Sequence, residues 1–232
     1  MILARARRSA YDHDHMGAQS AKVAWSALAR THPELAAFPA QLRDAAQEIR
    51  ARAGETLFRL GSRPRAMLFV LEGEVRLVRR TAGGADVVLQ RARSGFVAEA
   101  SLESPRYHCD IEAVTESRLL GFPLEVFRDV LGNDAAFRNF WMRRLAAEVR
   151  KLRAQCERLS LHSAADRIEH YIEAEGRDAR LELLQTKKTW AAELGLTHEA
   201  LYRALAGLQR EGRVVATEED GVLVLKLGSR NR

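Results

Sequence analysis

Residues 186–210, TKKTWAAELGLTHEALYRALAGLQR, decide how the rest of the chain is read. Two short helical patterns meet at Gly195. In the second, Leu201, Leu205 and Leu208 recur at helical spacing and form one apolar stripe, while His198, Glu199, Tyr202 and Arg203 fall on the opposite face. In the first, Trp190, Ala191 and Leu194 make the apolar side. A glycine between them suits the left-handed turn residue that lets two helices cross sharply, and Thr197 stands where an N-cap belongs. The stretch predicts a helix-turn-helix.

Outward from it, two β-type runs follow at 213–217 and 222–227, joined by Glu218, Glu219, Asp220 and Gly221, with Asp-Gly as the turn signal. A hairpin after a helix-turn-helix predicts a wing. Before it, SAADRIEHYIEAE (163–175) reads as an amphipathic supporting helix.

Further upstream, residues 133–161 contain no proline or glycine. Met142, Leu145, Val149, Leu152, Cys156 and Leu159 follow one another at steps of 3, 4, 3, 4 and 3, the a/d seam of a coiled coil. Arg143, Arg144, Arg150, Lys151, Arg153 and Arg158 crowd the other faces and leave the seam narrow. A helix packed on its own domain could show the same stripe; the narrow seam favours a homodimer. Cys156 then serves as a small hydrophobe within it.

Between about 42 and 122 the texture is short β-type runs punctuated by Gly54, Gly61, Gly73, Gly83, Gly84 and Gly95, which argues for a small antiparallel barrel or jelly roll. Gly54-Glu55, then 57–61, then Phe69-Val70-Leu71-Glu72-Gly73-Glu74-Val75 resemble the opening of the cyclic-nucleotide-binding β-roll of the Crp/Fnr transcription regulators. The order of β-roll, long helix and winged helix resembles that family over about 42–227. The expected fold is therefore α+β: an N-terminal extension (1–38), a cyclic-nucleotide-binding-like β-roll (39–133), a dimerisation helix (134–161) and a winged helix-turn-helix (162–232).

The resemblance implies a cytoplasmic homodimer that binds double-stranded DNA at a near-palindromic site, with RNA polymerase as a further candidate partner. The family's reading helix commonly carries S-R-E-T-x-x-R; here it stands as 197–203, THEALYR. Arg203 can donate twice to guanine O6 and N7, and Glu199 can accept from cytosine N4. The same two residues, four apart, could instead form a surface ion pair. His198 departs from the family's frequent arginine, and Tyr202 is bulkier than the usual small residue. Lys187, Lys188 and Thr197 are expected phosphate contacts.

Members that bind cyclic nucleotides carry G-E-x-A-L, a short loop and P-R-x-A, with backbone amides and an arginine holding the phosphate. Here the stretch 98–110 reads AEASLESPRYHCD. Glu99 is kept and the preceding glycine is Ala98. Counting from the left puts Arg106 at the phosphate position; counting back from the strand at 118–122 puts Tyr107 or His108 there. Asp110 adds a negative charge where an anion would sit. His108 and Cys109 also raise haem ligation, although adjacent strand residues point to opposite faces. Activity is expected to be modulated by a signal at the β-roll, and the effector stays open among an unknown or absent ligand, a nucleotide-like anion, and haem or metal.

Composition narrows the function classes. The 232 residues suffice for two domains. No apolar run approaches the ~18 residues of a membrane helix, and the N-terminal arginines have no apolar stretch behind them. The net charge of +6 falls unevenly. Residues 134–161 carry seven basic against three acidic groups, and 162–232 carry eleven against twelve, so overall basicity is not what argues for nucleic acid. Asp12, His13, Asp14 and His15 alternate ligand types but read as a solvated tail. The two cysteines, Cys109 and Cys156, read as reduced thiols, and no N-terminal cysteine cluster offers an iron–sulfur site. No Gly-rich phosphate loop, zinc spacing or nucleophile arrangement marks an enzyme. A regulatory module that binds a nucleotide and acts through a protein partner is the alternative to a DNA-binding regulator.

Overall fold

The computed structural model describes residues 23–81, 83 and 86–228; residues 12–15 lie outside them. The chain divides into two compact units between Met142 and Arg143.

The first unit opens with α1 (Trp25–Thr31), a 3-10 turn (Pro33–Ala37) and α2 (Ala40–Ala45). Eight strands follow: β1 (Gln47–Ala51), β2 (Thr56–Phe58), β3 (Ala66–Glu72), β4 (Val75–Arg80), β5 (Asp86–Ala92), β6 (Gly95–Val97), β7 (Asp110–Ala113) and β8 (Ser117–Pro123). They form two four-stranded antiparallel sheets, ordered β1-β8-β3-β6 and β2-β7-β4-β5. This is the expected β-roll. Gly73 turns β3 into β4 at φ +87°, and a Cβ there would run into the Glu116 carbonyl and Ser117; only glycine fits.

The sheets enclose one apolar core that includes Leu68 and Val70 of β3, Val75 and Leu77 of β4, Leu57 and Phe58 of β2, and Ile111 and Ala113 of β7 with Cys109 just before it. A second, aromatic core lies where the 3-10 turn meets α3 (Leu124–Asn133) and the start of α4 (Ala135–Ser160). Phe38 packs there against Phe69, Phe96, Phe122, Phe137 and Phe140, and Trp141 against Phe96 and Phe127. Leu35 and Phe38 are buried, so residues before 39 contribute to this core.

The second unit holds the remainder of α4, then α5 (Ala164–Glu175), β9 (Arg180–Leu183), α6 (Lys187–Glu193), α7 (His198–Arg210), β10 (Val214–Glu219) and β11 (Val222–Leu227). Each of α5, α6 and α7 starts at a hydroxyl cap: Ser163, Thr186 and Thr197 accept from the backbone N–H three residues on. The wing turns through Asp220 and Gly221, both at positive φ, as a two-residue hairpin requires. The third strand, β9, completes the sheet β10-β11-β9. Sequence reading missed it because Arg180–Leu183 is too short for a resolvable alternation.

Candidate nucleic-acid interface and sensor pocket

Leu201, Leu205 and Leu208 of α7 are buried in one core with Trp190 and Ala191 of α6, its C-cap Leu194, and Ile168 and Ile172 of α5. Burying each leucine contributes roughly 1.5–3 kcal/mol. That fixes the helix's rotation about its own axis, and rotation decides which residues face out. His198, Glu199, Tyr202 and Arg203 are exposed, as are Lys188 and Thr197, while Lys187 is half-buried. All the residues expected at a nucleic-acid surface thus lie on α7, at its N-cap or at the start of α6.

The turn between the two helices is built by Gly195 at φ +64°. Lys187 Nζ sits 5.1 Å from the Tyr202 ring centre, and the His198 ring meets Tyr202 edge-on at 4.6 Å. Tyr202 thus contacts both the Lys187 ammonium and the His198 ring. Glu199 is turned back to the helix N-terminus. Its own backbone N–H and the Thr197 hydroxyl, with His198 and Arg203 nearby, hold its carboxyl below the usual glutamate range. Among the described residues no ion pair joins Glu199 to Arg203. The surface pair that their spacing allows is therefore not formed within ion-pair distance, although Arg203 still acts on the Glu199 carboxyl through its charge.

The seam of α4 shows its apolar residues to solvent in the single chain. Met142 is 60% exposed, Leu152 57%, Val149 46% and Leu159 45%, and Cys156 is exposed while Leu145 is half-buried. Arg158 differs from the solvated arginine that the sequence suggests. It is 2% exposed, its guanidinium lies 4.4 Å from the Tyr171 ring centre, and it donates to Glu175 at 3.0 Å. A signal for this exists in the sequence. The stripe begun by Phe137 and Trp141 continues at alternating steps of three and four through 144, 148, 151 and 155 to 158.

In the β-roll, residues 107–113 alternate between core and surface. Tyr107, Cys109, Ile111 and Ala113 alternate into the core, and His108, Asp110 and Glu112 alternate out of it. Arg106 is exposed, and its Nη1 donates to the Gly61 carbonyl at 3.1 Å. Tyr107 takes the inward position, stacked on Phe58 at 4.4 Å, with its hydroxyl donating to the Ala66 carbonyl at 3.2 Å. Glu99, half-buried, opens the short 3-10 turn Glu99–Ser101 after Ala98, which holds φ +63°. Alanine keeps the left-handed conformation of a glycine at a cost of about 1–2 kcal/mol.

The fit to a cyclic phosphate is poor. The buried polar side chains of this unit among the described residues are Thr56, Glu74, Ser101 and Ser117, and none is a cation. Haem ligation is no better served. Cys109 is fully buried and its thiol is pushed up to about 11, first by burial and then by the Asp110 charge. His108 lies outside, 3.4 Å from Ser101 Oγ. The two do not converge on one ligand.

Residues 48–134 match the family described as cyclic nucleotide-binding domain. No curated protein matches the chain. Among solved structures, a Silicibacter pomeroyi DSS-3 protein provisionally named a cAMP-binding regulatory protein is 27% identical, with 86% of this chain and 92% of that one covered and a TM-score of 0.54. FixK2 from Bradyrhizobium japonicum is 22% identical, covers 81% and 94% of the two chains and has a TM-score of 0.60. CLP from Xanthomonas campestris, a c-di-GMP-responsive global regulator, is 20% identical over 80% and 96%, with a TM-score of 0.54. The last two speak for the fold: β-roll, long helix and helix-turn-helix in the same order. No helix among the described residues is long and apolar enough to cross a membrane.

Proposed function

We propose, from the premise that this chain is of Crp/Fnr type, that it is a homodimeric DNA-binding transcription regulator that reads a near-palindromic site. The observation that carries the reading is the face of α7. A buried leucine stripe aims His198, Glu199, Tyr202 and Arg203 outward together, and no ion pair among the described residues occupies Arg203.

A recognition helix of this kind lies in the major groove, where Arg203 meets a guanine and Glu199 a cytosine amino group. Lys187, Lys188 and Thr197 hold phosphates and set register. Pairing along the exposed seam from Met142 to Leu159 places two such helices on successive half-sites, and it removes apolar surface that a monomer would leave in water. The signal read by the β-roll is of another class than cyclic AMP; Tyr107 in the inward position, and the absence of a cation among the buried described residues of this unit, support that reading.

The test is selection from a randomised duplex library, followed by footprinting on the selected sequence. Recovery of an inverted repeat with a G·C-containing half-site supports the reading. A pool that stays random at moderate salt overturns it. Regulation through a protein partner alone would instead leave in vivo activity intact in Arg203→Ala.

A further inference from the structure

The last turn of α4 is bound into the winged helix by side chains that neither the seam nor the reading face uses. Arg158 is almost completely buried, although a buried guanidinium is costly unless paired. Its charge is met by Glu175 and by the face of Tyr171, while its Nε is buried without a hydrogen-bond partner. Tyr171 carries the connection onward. Its hydroxyl donates to Glu193 at the end of α6 at 2.8 Å, and Gln185 donates to both. Burial, and then the Glu193 charge, raise the phenol well above its ordinary range, so it stays a donor.

A second arginine ties the same places from the other side. Arg167 of α5 donates to the carbonyls of Leu159 and Leu161, just where α4 ends, and to those of Leu194 and Gly195 in the turn between α6 and α7. A Cβ on Gly195 would stand 3.0 Å from Leu159 Cδ2 and 3.2 Å from Arg167 Nη1. Leu159 is both the last seam residue and the neighbour of the helix-turn-helix turn. His170 adds a contact to Glu157 at 3.3 Å.

We propose that Arg158 is a positioning residue which makes the end of the dimer seam and the DNA-reading helices one rigid body, so that it sets the half-site spacing the dimer accepts. The short segment 161–163 between α4 and α5 is then not a hinge. An apolar residue at 158 would cover Tyr171 at less desolvation cost; what the guanidinium adds is direction, one donor aimed at Glu175 and one plane laid on the ring. The inference rests on the dimeric DNA-binding reading above.

Two measurements on the full-length protein separate the inference from that reading. Hydrogen exchange without DNA follows the amides of 157–163. They are expected to be slow in the wild type and markedly faster in Arg158→Met and in the milder Glu175→Gln, which retains the buried arginine; unchanged exchange overturns the clamp. Binding to the selected site is then compared with binding to sites whose half-sites stand one base pair closer or farther apart. The wild type is expected to discriminate, both variants to lose about tenfold of that discrimination while remaining dimers, and Arg158→Lys to regain part of it. Equal discrimination in wild type and variants overturns the proposal. If no duplex is bound specifically, the dimeric reading falls and the proposed spacing role falls with it, while hydrogen exchange still decides the clamp.

Discussion

Arg106 and Tyr107, neighbours in sequence, face opposite ways across the wall of the β-roll. The guanidinium of one is bonded to the Gly61 carbonyl at the exposed surface, and the ring of the other is stacked on Phe58 within the core. Backbone bonds in both directions, Tyr107 N–H to the Ser62 carbonyl and Gly61 N–H to the Tyr107 carbonyl, fix this segment ahead of β7 and give the inward position to the phenol.

The first prediction follows from that pair. Cyclic AMP and cyclic GMP at about 1 mM should leave the thermal midpoint unchanged, because a site with a weaker dissociation constant than that gives almost no stabilisation by mass action. A saturable, concentration-dependent rise would show that a cation reaches the phosphate after all. Ala98→Gly should stabilise the chain by about 1 kcal/mol in urea unfolding by relieving the left-handed alanine, without creating cyclic nucleotide binding.

Base and phosphate contacts should separate by salt and by sequence. Arg203→Ala is expected to cost about 1–3 kcal/mol on the selected site and to relax preference at one symmetric position. Lys188→Ala should weaken all duplexes alike and flatten the plot of log affinity against log salt by about one unit. Fluorescence anisotropy over a salt series on matched and substituted sites reads both. Identical behaviour of the two variants would place Arg203 on a phosphate.

The seam can be tested without DNA. Leu152→Glu puts two carboxylates into one apolar interface and should give a monomer in sedimentation analysis. Under mild oxidation the wild type should form a covalent dimer through Cys156, with Cys156→Ser abolishing it. Buried Cys109, its thiol raised to about 11, should remain unreacted.

The acid limb of stability should depend on Glu74. Burial alone would raise its pKa, but bonds from Arg91 and Arg93, at 2.6 and 2.9 Å, outweigh that and leave it below the ordinary value of 4.5. A depressed carboxylate stabilises the fold above its unfolded pKa and loses that contribution as the pH falls through the folded one. Glu74→Gln should therefore lower the thermal midpoint at pH 7 and make little difference once the medium is acid enough to protonate Glu74. A gap of the same size at both ends would assign the loss to packing instead.

The helix-turn-helix was legible because local rules agree there. A leucine stripe of helical period, a glycine at the left-handed turn and a threonine cap each act over a few residues, and none needs the rest of the chain. The wing's Asp-Gly turn, the Gly73 hairpin and the seam of α4 belong to the same class, and so does the resemblance to Crp/Fnr regulators, which is the order of such segments. What lay beyond the sequence depends on residues far apart in the chain. Which of Arg106 and Tyr107 turns inward depended on the backbone bonds that Tyr107 makes with Gly61 and Ser62, about 45 residues away in the chain. The fate of Arg158 turned on α5 folding back along α4 to bring Tyr171 and Glu175 over it. Periodicity shows that a helix has a face to bury, but the partner that buries it, and whether an arginine on that face meets water or a ring and a carboxylate, is settled only by tertiary packing.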